Sequence, residues 1–342
     1  MPVIDVHTHF FPKSWPDLDA RYGGEPWPSI RHTEPGKAVV LLGDRVFRDI
    51  DARCWDPEVR LEHMDRDGVD YQAVSATPVL FAYDRDPKDA LDCARIFNDL
   101  ALELTSRGKG RLLPLCQVPL QEVDRACEEL SRAMRSGHLG VEIGNHVGAK
   151  NLDDEGILTF LQHAAAEDAA VFVHPWDMMA SDRTTKYMMG WTVGMPAETQ
   201  LSIASLVLSG GFDRIPKTLR IGFAHGGGSF AFLLGRLENA WMREPKARGV
   251  AEHPPSHYLD RFLVDSAVFD ERALAFLVEV LGEDRIALGS DYPFPLGEER
   301  VGALIRESRL PPSAKKKILE SNAESFVRLS KHALRPNGSL RA

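Results

Sequence analysis

Cysteine is scarce: the four in this 342-residue chain, Cys54, Cys93, Cys116 and Cys127, are widely spaced and never fall in a Cys-x-x-Cys pair. Their spacing suggests neither a thiolate zinc site nor a disulfide framework, and reduced thiols in a cytoplasmic protein are expected. A positive charge excess is missing too. With 41 basic against 50 acidic residues and a net charge of −9, broad adhesion to nucleic acid or to an anionic membrane is not expected, so an anionic ligand needs a local basic pocket. Uninterrupted apolar runs of about 18 residues are absent, and the opening Val3-Ile4-Asp5-Val6 reads as a strand rather than as a basic segment leading into an apolar signal core. Neither a membrane span nor export is expected. The Gly-x-Gly-x-x-Gly fingerprint of dinucleotide binding is also lacking, since Gly226-Gly227-Gly228 comes late in the chain without that spacing.

What is present is a globular composition, 44% hydrophobic and 27% charged, in a chain long enough for one large core. Short β-branched runs at 3–10, 71–78, 111–120, 139–145, 170–176, 220–227, 262–269 and 285–293 read as strands. Segments of helical period lie between most of them, at 86–107, 122–136, 153–167, 229–243 and 270–282. Such alternation predicts an α/β fold with a parallel sheet, and eight units predict a closed (β/α)8 TIM-like barrel. Residues 11–52 break the rhythm. Their prolines, and the runs Ala38 to Leu42 and Arg45 to Arg48 around Gly43-Asp44, predict a small β-hairpin lobe inserted after strand one, over the barrel mouth. The expected layout is a single domain over 1–334, ending in a helical segment at 310–334, with 335–342 as a frayed tail.

His7-Thr8-His9 ends the first strand, and residues two apart on a strand face the same side, so both imidazoles can approach one metal ion. The pair alone is weak evidence. His174, His225 and Asp291 close three further strands, and in a barrel the carboxyl ends of the strands converge on one face. Taken singly, each reads as a structural or capping residue. Together they read as a site.

These residues sit in longer blocks. Ile4 to Pro12, His174 to Met179, Met195 to Gln200, His225 to Phe230 and Gly289 to Pro295 resemble the amidohydrolase superfamily, and within it the decarboxylase branch that acts on carboxylated muconate semialdehydes. The resemblance implies that His7, His9, His174 and Asp291 hold one divalent ion, Zn2+ or alternatively Mn2+, with water completing the shell and His225 left for proton transfer. The donor chemistry agrees, because three imidazoles and a carboxylate suit zinc, and an open position lowers the pKa of bound water. Many binuclear members carry a bridging lysine on strand four, but here that strand reads Leu139 to Asn145 without one. Its Glu142 is either a ligand to a second ion or a hydrogen-bonded interior glutamate, and one metal is the reading adopted.

The resemblance further implies non-oxidative decarboxylation, with Arg48 and Arg236 gripping the carboxylates of a dicarboxylate semialdehyde and Arg236 reaching across a homodimer. Two routes are open: hydroxide addition before CO2 leaves, or a Lewis-acid ion with Asp291 or His225 protonating the carbon. Trp176, Met178, Trp191 and Phe294 flank the ligands in sequence. They read equally as an apolar wall for a planar substrate or as ordinary core. A hydrolase of a lactone, amide or C–C bond and an aromatic carboxylic acid decarboxylase are the alternatives. The remaining histidines, including His146 just past strand four, follow no strand-end pattern and read as surface or structural residues.

Overall fold

A computed structural model describes residues 1–329. Eight parallel strands form one sheet in sequence order: β1 (Ile4–Phe10), β2 (Tyr71–Ala76), β3 (Leu112–Cys116), β4 (Gly140–Gly144), β5 (Ala170–His174), β6 (Arg220–Phe223), β7 (Leu263–Asp265) and β8 (Ile286–Ala287). Backbone bonds from Val6 to the Leu288 carbonyl (2.9 Å) and from Asp291 to the His7 carbonyl (3.0 Å) bring its first and last edges together. Every residue of β1, β3, β4 and β5 is buried, as expected of strands with helices on one side and packed side chains on the other. The final strands are shorter than the sequence runs suggest. Residues 288–293 leave the ladder to form the loop that carries Asp291.

Helices α1 (Pro57–Asp67), α2 (Pro87–Ser106), α3 (Val123–Ser136), α4 (Glu155–Ala166), α5 (Met195–Leu208), α6 (Phe230–Arg243) and α7 (Glu271–Leu281) are the longer ones between strands. In α2 the buried Ala90, Ala94, Phe97, Ala101 and Leu104 recur every three or four residues, which turns one stripe onto the sheet. Asp86, Asp154 and Asp270 cap α2, α4 and α7 by accepting backbone N–H bonds in the first turn. The sequence runs did not show α1 and α5, where half-polar surfaces blur the apolar stripe.

Between β1 and α1, the strands Pro28–Glu34, Lys37–Leu42 and Arg45–Asp51 make a three-stranded antiparallel sheet. It is one strand wider than the ladder predicted around Gly43-Asp44, because the Pro28 run pairs with Lys37–Leu42 as well. Beyond β8, Pro312–Lys316 and Asn322–Val327 are helical. The last part of the 310–334 segment, His332 and the 335–342 tail lie outside the described residues.

Candidate metal centre

The four donors expected from the sequence converge. His7, His9, His174 and Asp291 each offer a ligand atom, and these atoms lie within 4.8 Å of one another at the carboxyl ends of β1, β5 and β8. The topology explains how residues hundreds of positions apart meet: parallel strands all end on the same face. Asp291, at φ 59°, and His225, at φ 56°, hold a left-handed backbone that costs a non-glycine residue energy, as functional groups fixed by their surroundings often do. Gly289 makes close packing possible beneath them, since a Cβ there would lie 2.9 Å from the His7 Cβ and 2.6 Å from that of Asp265.

Each ligand imidazole is oriented differently. His7 Nδ1 stands 2.6 Å from Asp265 Oδ2, so it carries the proton and its Nε2 presents a lone pair. His174 Nδ1 lies 2.7 Å from the Pro175 carbonyl, which likewise frees its Nε2. His9 Nδ1 points toward Glu142, 3.8 Å away, while its Nε2 is 3.1 Å from His7 Nε2 and 3.3 Å from Asp291 Oδ1. Two imidazole lone pairs facing each other at 3.1 Å repel unless a cation or proton lies between them. His174 Nε2 is fully buried with no partner. Burial also lowers the pKa of His9 and His174, His174 well below the usual value, which keeps them neutral donors. Burial alone would raise the pKa of Asp291, yet the surrounding imidazoles of His225, His9 and His7 outweigh it and hold the carboxylate well below its usual range. This donor set fits a divalent ion.

His225 stands beside the cluster, its ring centroid 5.0 Å from that of His174 and its Nε2 3.9 Å from Asp291 Oδ2, with Nδ1 unpartnered. Glu142 is buried with neither oxygen hydrogen-bonded to a close partner, and burial pushes its pKa up to about 8.

Above the donors lies a cavity of about 1040 Å3. Arg48, Trp176, Met178, Trp191 and Phe294 all line it, together with His9, His174, His225 and Asp291. Phe294 stacks on His9 at 5.5 Å, and the Arg48 guanidinium sits 3.9 Å over the Phe294 ring. Among the described residues, no carboxylate forms an ion pair with Arg48, which is half-buried. Arg236 is different: it is exposed on α6 and does not line this cavity. Sequence reasoning missed Asp265, whose Oδ1 also accepts from Gly226 (2.8 Å) and Ala267 (3.0 Å). It closes β7 in the structure, but it falls in the middle of the sequence run 262–269, so the strand-end pattern did not mark it. Arg60 was missed as well; fully buried, it donates to Thr8 Oγ1 (3.1 Å) and to the His9 carbonyl, pinning β1 from behind. No spacing rule flags it.

A parallel sheet with three histidines and an aspartate gathered at its carboxyl edge defines the class of α/β proteins built around a metal site. Residues 4–329 match the amidohydrolase family, and the chain belongs to it. The 2-amino-3-carboxymuconate-6-semialdehyde decarboxylase of Dictyostelium discoideum is 42% identical over 95% of this chain and 91% of its own length. The enzyme of that name from Caenorhabditis elegans is 33% identical, over 97% and 95%. Among solved structures, the apo form of Metarhizium anisopliae IDCase superposes with a TM-score of 0.81 at 23% identity, covering 96% of this chain and 97% of that one.

Proposed function

We propose that the protein is a metal-dependent carboxy-lyase that removes CO2, without redox chemistry, from 2-amino-3-carboxymuconate 6-semialdehyde or a close amino or hydroxy congener. The observation that carries this reading is the convergence of four side chains able to hold a metal ion beside a cavity whose wall holds a half-buried Arg48 with no carboxylate partner among the described residues. The relatives at 42% and 33% identity support the substrate class. Bound by His7, His9, His174 and Asp291, the ion, zinc in our reading and manganese in the alternative, supplies Lewis acidity and positive charge. In the reaction the bond to the carboxylate carbon breaks, its electron pair stays on the substrate carbon, and that carbon takes up a proton. His225, which lines the cavity beside the cluster, is the group we assign to hold and deliver that proton. Arg48 binds a substrate carboxylate through two parallel hydrogen bonds, while Phe294, Trp176, Met178 and Trp191 flank the planar chain.

We also infer that Arg236 completes the pocket of a second copy in a homodimer. Its exposure supports this, as does Phe232, one turn earlier on α6 and 78% exposed, an apolar group suited to an interface. The domain reading is one unit over 1–334, with 11–52 as a lobe at the mouth, in a cytoplasmic protein. Purified enzyme given the semialdehyde is expected to release one CO2 per substrate and to stop when a chelator removes the ion. Product carboxylate without CO2 would favour a hydrolase instead. Mixing inactive Arg236→Ala with inactive His174→Ala is expected to restore part of the activity through heterodimers; no recovery after verified subunit exchange rejects the shared pocket.

A further inference from the structure

His146, which the strand-end pattern leaves without a role, opens a two-stranded turn (His146–Val147 with Lys150–Asn151) directly after β4. Its Nδ1 lies 2.9 Å from the Gly148 carbonyl oxygen and its Nε2 lies 2.8 Å from the Asp177 carbonyl oxygen. Carbonyl oxygens only accept, and a neutral imidazole has a single N–H. Both contacts are hydrogen bonds only when the ring carries two protons. A carboxylate suits that charge: Glu198 Oε2 is 4.0 Å from Nε2, and Glu198 is fixed by accepting from Asn145 Nδ2 (2.8 Å) and from the Met179 N–H (2.6 Å). The other titratable groups on the packed elements are the exposed Asp177 carboxyl, Lys150, which pairs with Asp154 at 3.7 Å, and Tyr83, whose hydroxyl accepts from the Gly144 N–H.

The same histidine holds the next residue of the wall by its backbone. Trp176 Nε1 donates to the His146 carbonyl at 2.8 Å, and the indole packs 5.3 Å from the Tyr83 ring. Gly144 is required for this approach, because a Cβ there would lie 2.6 Å from Trp176 and 2.7 Å from Tyr83. Trp176, Asp177 and Met178 all line the cavity. Residue 146 therefore fastens the segment at Trp176 through its carbonyl and at Asp177 through its ring.

We propose that His146, as an imidazolium, is a positioning residue that latches the 175–179 wall onto the turn after β4, so that substrate binding weakens as pH rises and this ring loses a proton. Deprotonation leaves one of the two carbonyls facing a lone pair, and in the tautomer protonated at Nδ1 the wall loses its tie at Asp177. The proposal deepens the function argued above and rests on it only for the identity of the ligand.

The test compares wild type with His146→Gln between pH 5.5 and 8.5. In wild type, KM for the semialdehyde is expected to rise about fivefold across the range, the worth of one hydrogen bond, with kcat changing less. In the glutamine variant, KM is expected to be high and flat throughout. Nitrogen-15 NMR of the full, metal-loaded protein, with His146 assigned by difference against the variant, is expected to show both ring nitrogens protonated at pH 6. The Trp176 indole N–H, assigned with Trp176→Phe, is expected to shift with the same midpoint. A wild-type KM that stays flat overturns the proposal, as does a ring with one proton at pH 6. Should the glutamine variant not fold, the midpoints of KM and of the indole shift must still coincide in wild type; if they differ, the latch is wrong. If no semialdehyde releases CO2, the NMR titration alone decides: a doubly protonated ring coupled to Trp176 sustains the latch while the decarboxylase reading falls.

Discussion

His138 and His174 are local copies of each other at opposite ends of the sheet. His138, just before β4, has Nδ1 3.1 Å from the Ala133 carbonyl, and its buried Nε2 has no partner. His174, at the end of β5, has Nδ1 2.7 Å from the Pro175 carbonyl, and its buried Nε2 also has no partner. Burial lowers the pKa of both. What differs is the company: the His174 ring has those of His9, His225 and His7 at 4.8, 5.0 and 5.1 Å, with Asp291 in the same group. His138 belongs to no such cluster among the described residues. An orphaned buried nitrogen does not make a site. Convergence of donors does.

Ranked by their effect on turnover, four substitutions test that contrast. His174→Ala is expected to empty the site, with metal content by elemental analysis falling to background and turnover falling by about three orders of magnitude. Retained metal with lost activity would mean the four donors do not act as one cage. Asp265→Asn leaves all four donors in place but removes the charge that orients His7. Metal affinity, measured by chelator competition, is expected to drop about 10- to 100-fold, and saturating metal is expected to restore much of the turnover. Trp176→Ala acts on the wall rather than the floor: KM is expected to rise about tenfold, while metal affinity stays as in wild type.

The contrast also explains what was legible beforehand. The alternation of eight β-branched runs with helical stretches carried the fold, because burial on both sides forces the strands to be apolar. The convergence of His7, His9, His174 and Asp291 was legible because strand ends are visible in sequence and parallel strands end together. Spacing along a chain does not show which buried group supports a ligand. Asp265 lies in the middle of the run read as 262–269 and ends a strand only in the structure, and Arg60 sits within a helix with no local mark. Glu198 and His146 meet only because α5 packs beside the turn after β4, so their contact is a product of tertiary packing. The third strand of the small sheet was hidden by Pro28, which an edge strand tolerates at its first residue.

The fourth substitution, His138→Leu, has the smallest effect on turnover and separates burial from function most cleanly. The Ala133 carbonyl keeps a donor in the variant, since the backbone N–H of residue 138 bonds it at 3.1 Å. Desolvation is the chief reason the ring's pKa falls from the ordinary 6.5 to about 4 in the folded protein. A group whose folded pKa lies below its unfolded value binds more protons when unfolded, so its protonation favours unfolding. Above pH 6.5 the ring is neutral in both states and this penalty is absent; it grows as pH falls toward 4 and levels off below. The shift corresponds to a loss of about 2 kcal/mol at pH 5 and about 3 kcal/mol at pH 4. Urea unfolding at pH 7.5 and pH 5 is therefore expected to show the leucine variant gaining about 2 kcal/mol on wild type between the two conditions, with metal content unchanged. An equal gap at both pH values would mean that His138 reaches a proton acceptor or water when charged, and that the two histidines differ in solvation as well as in neighbours.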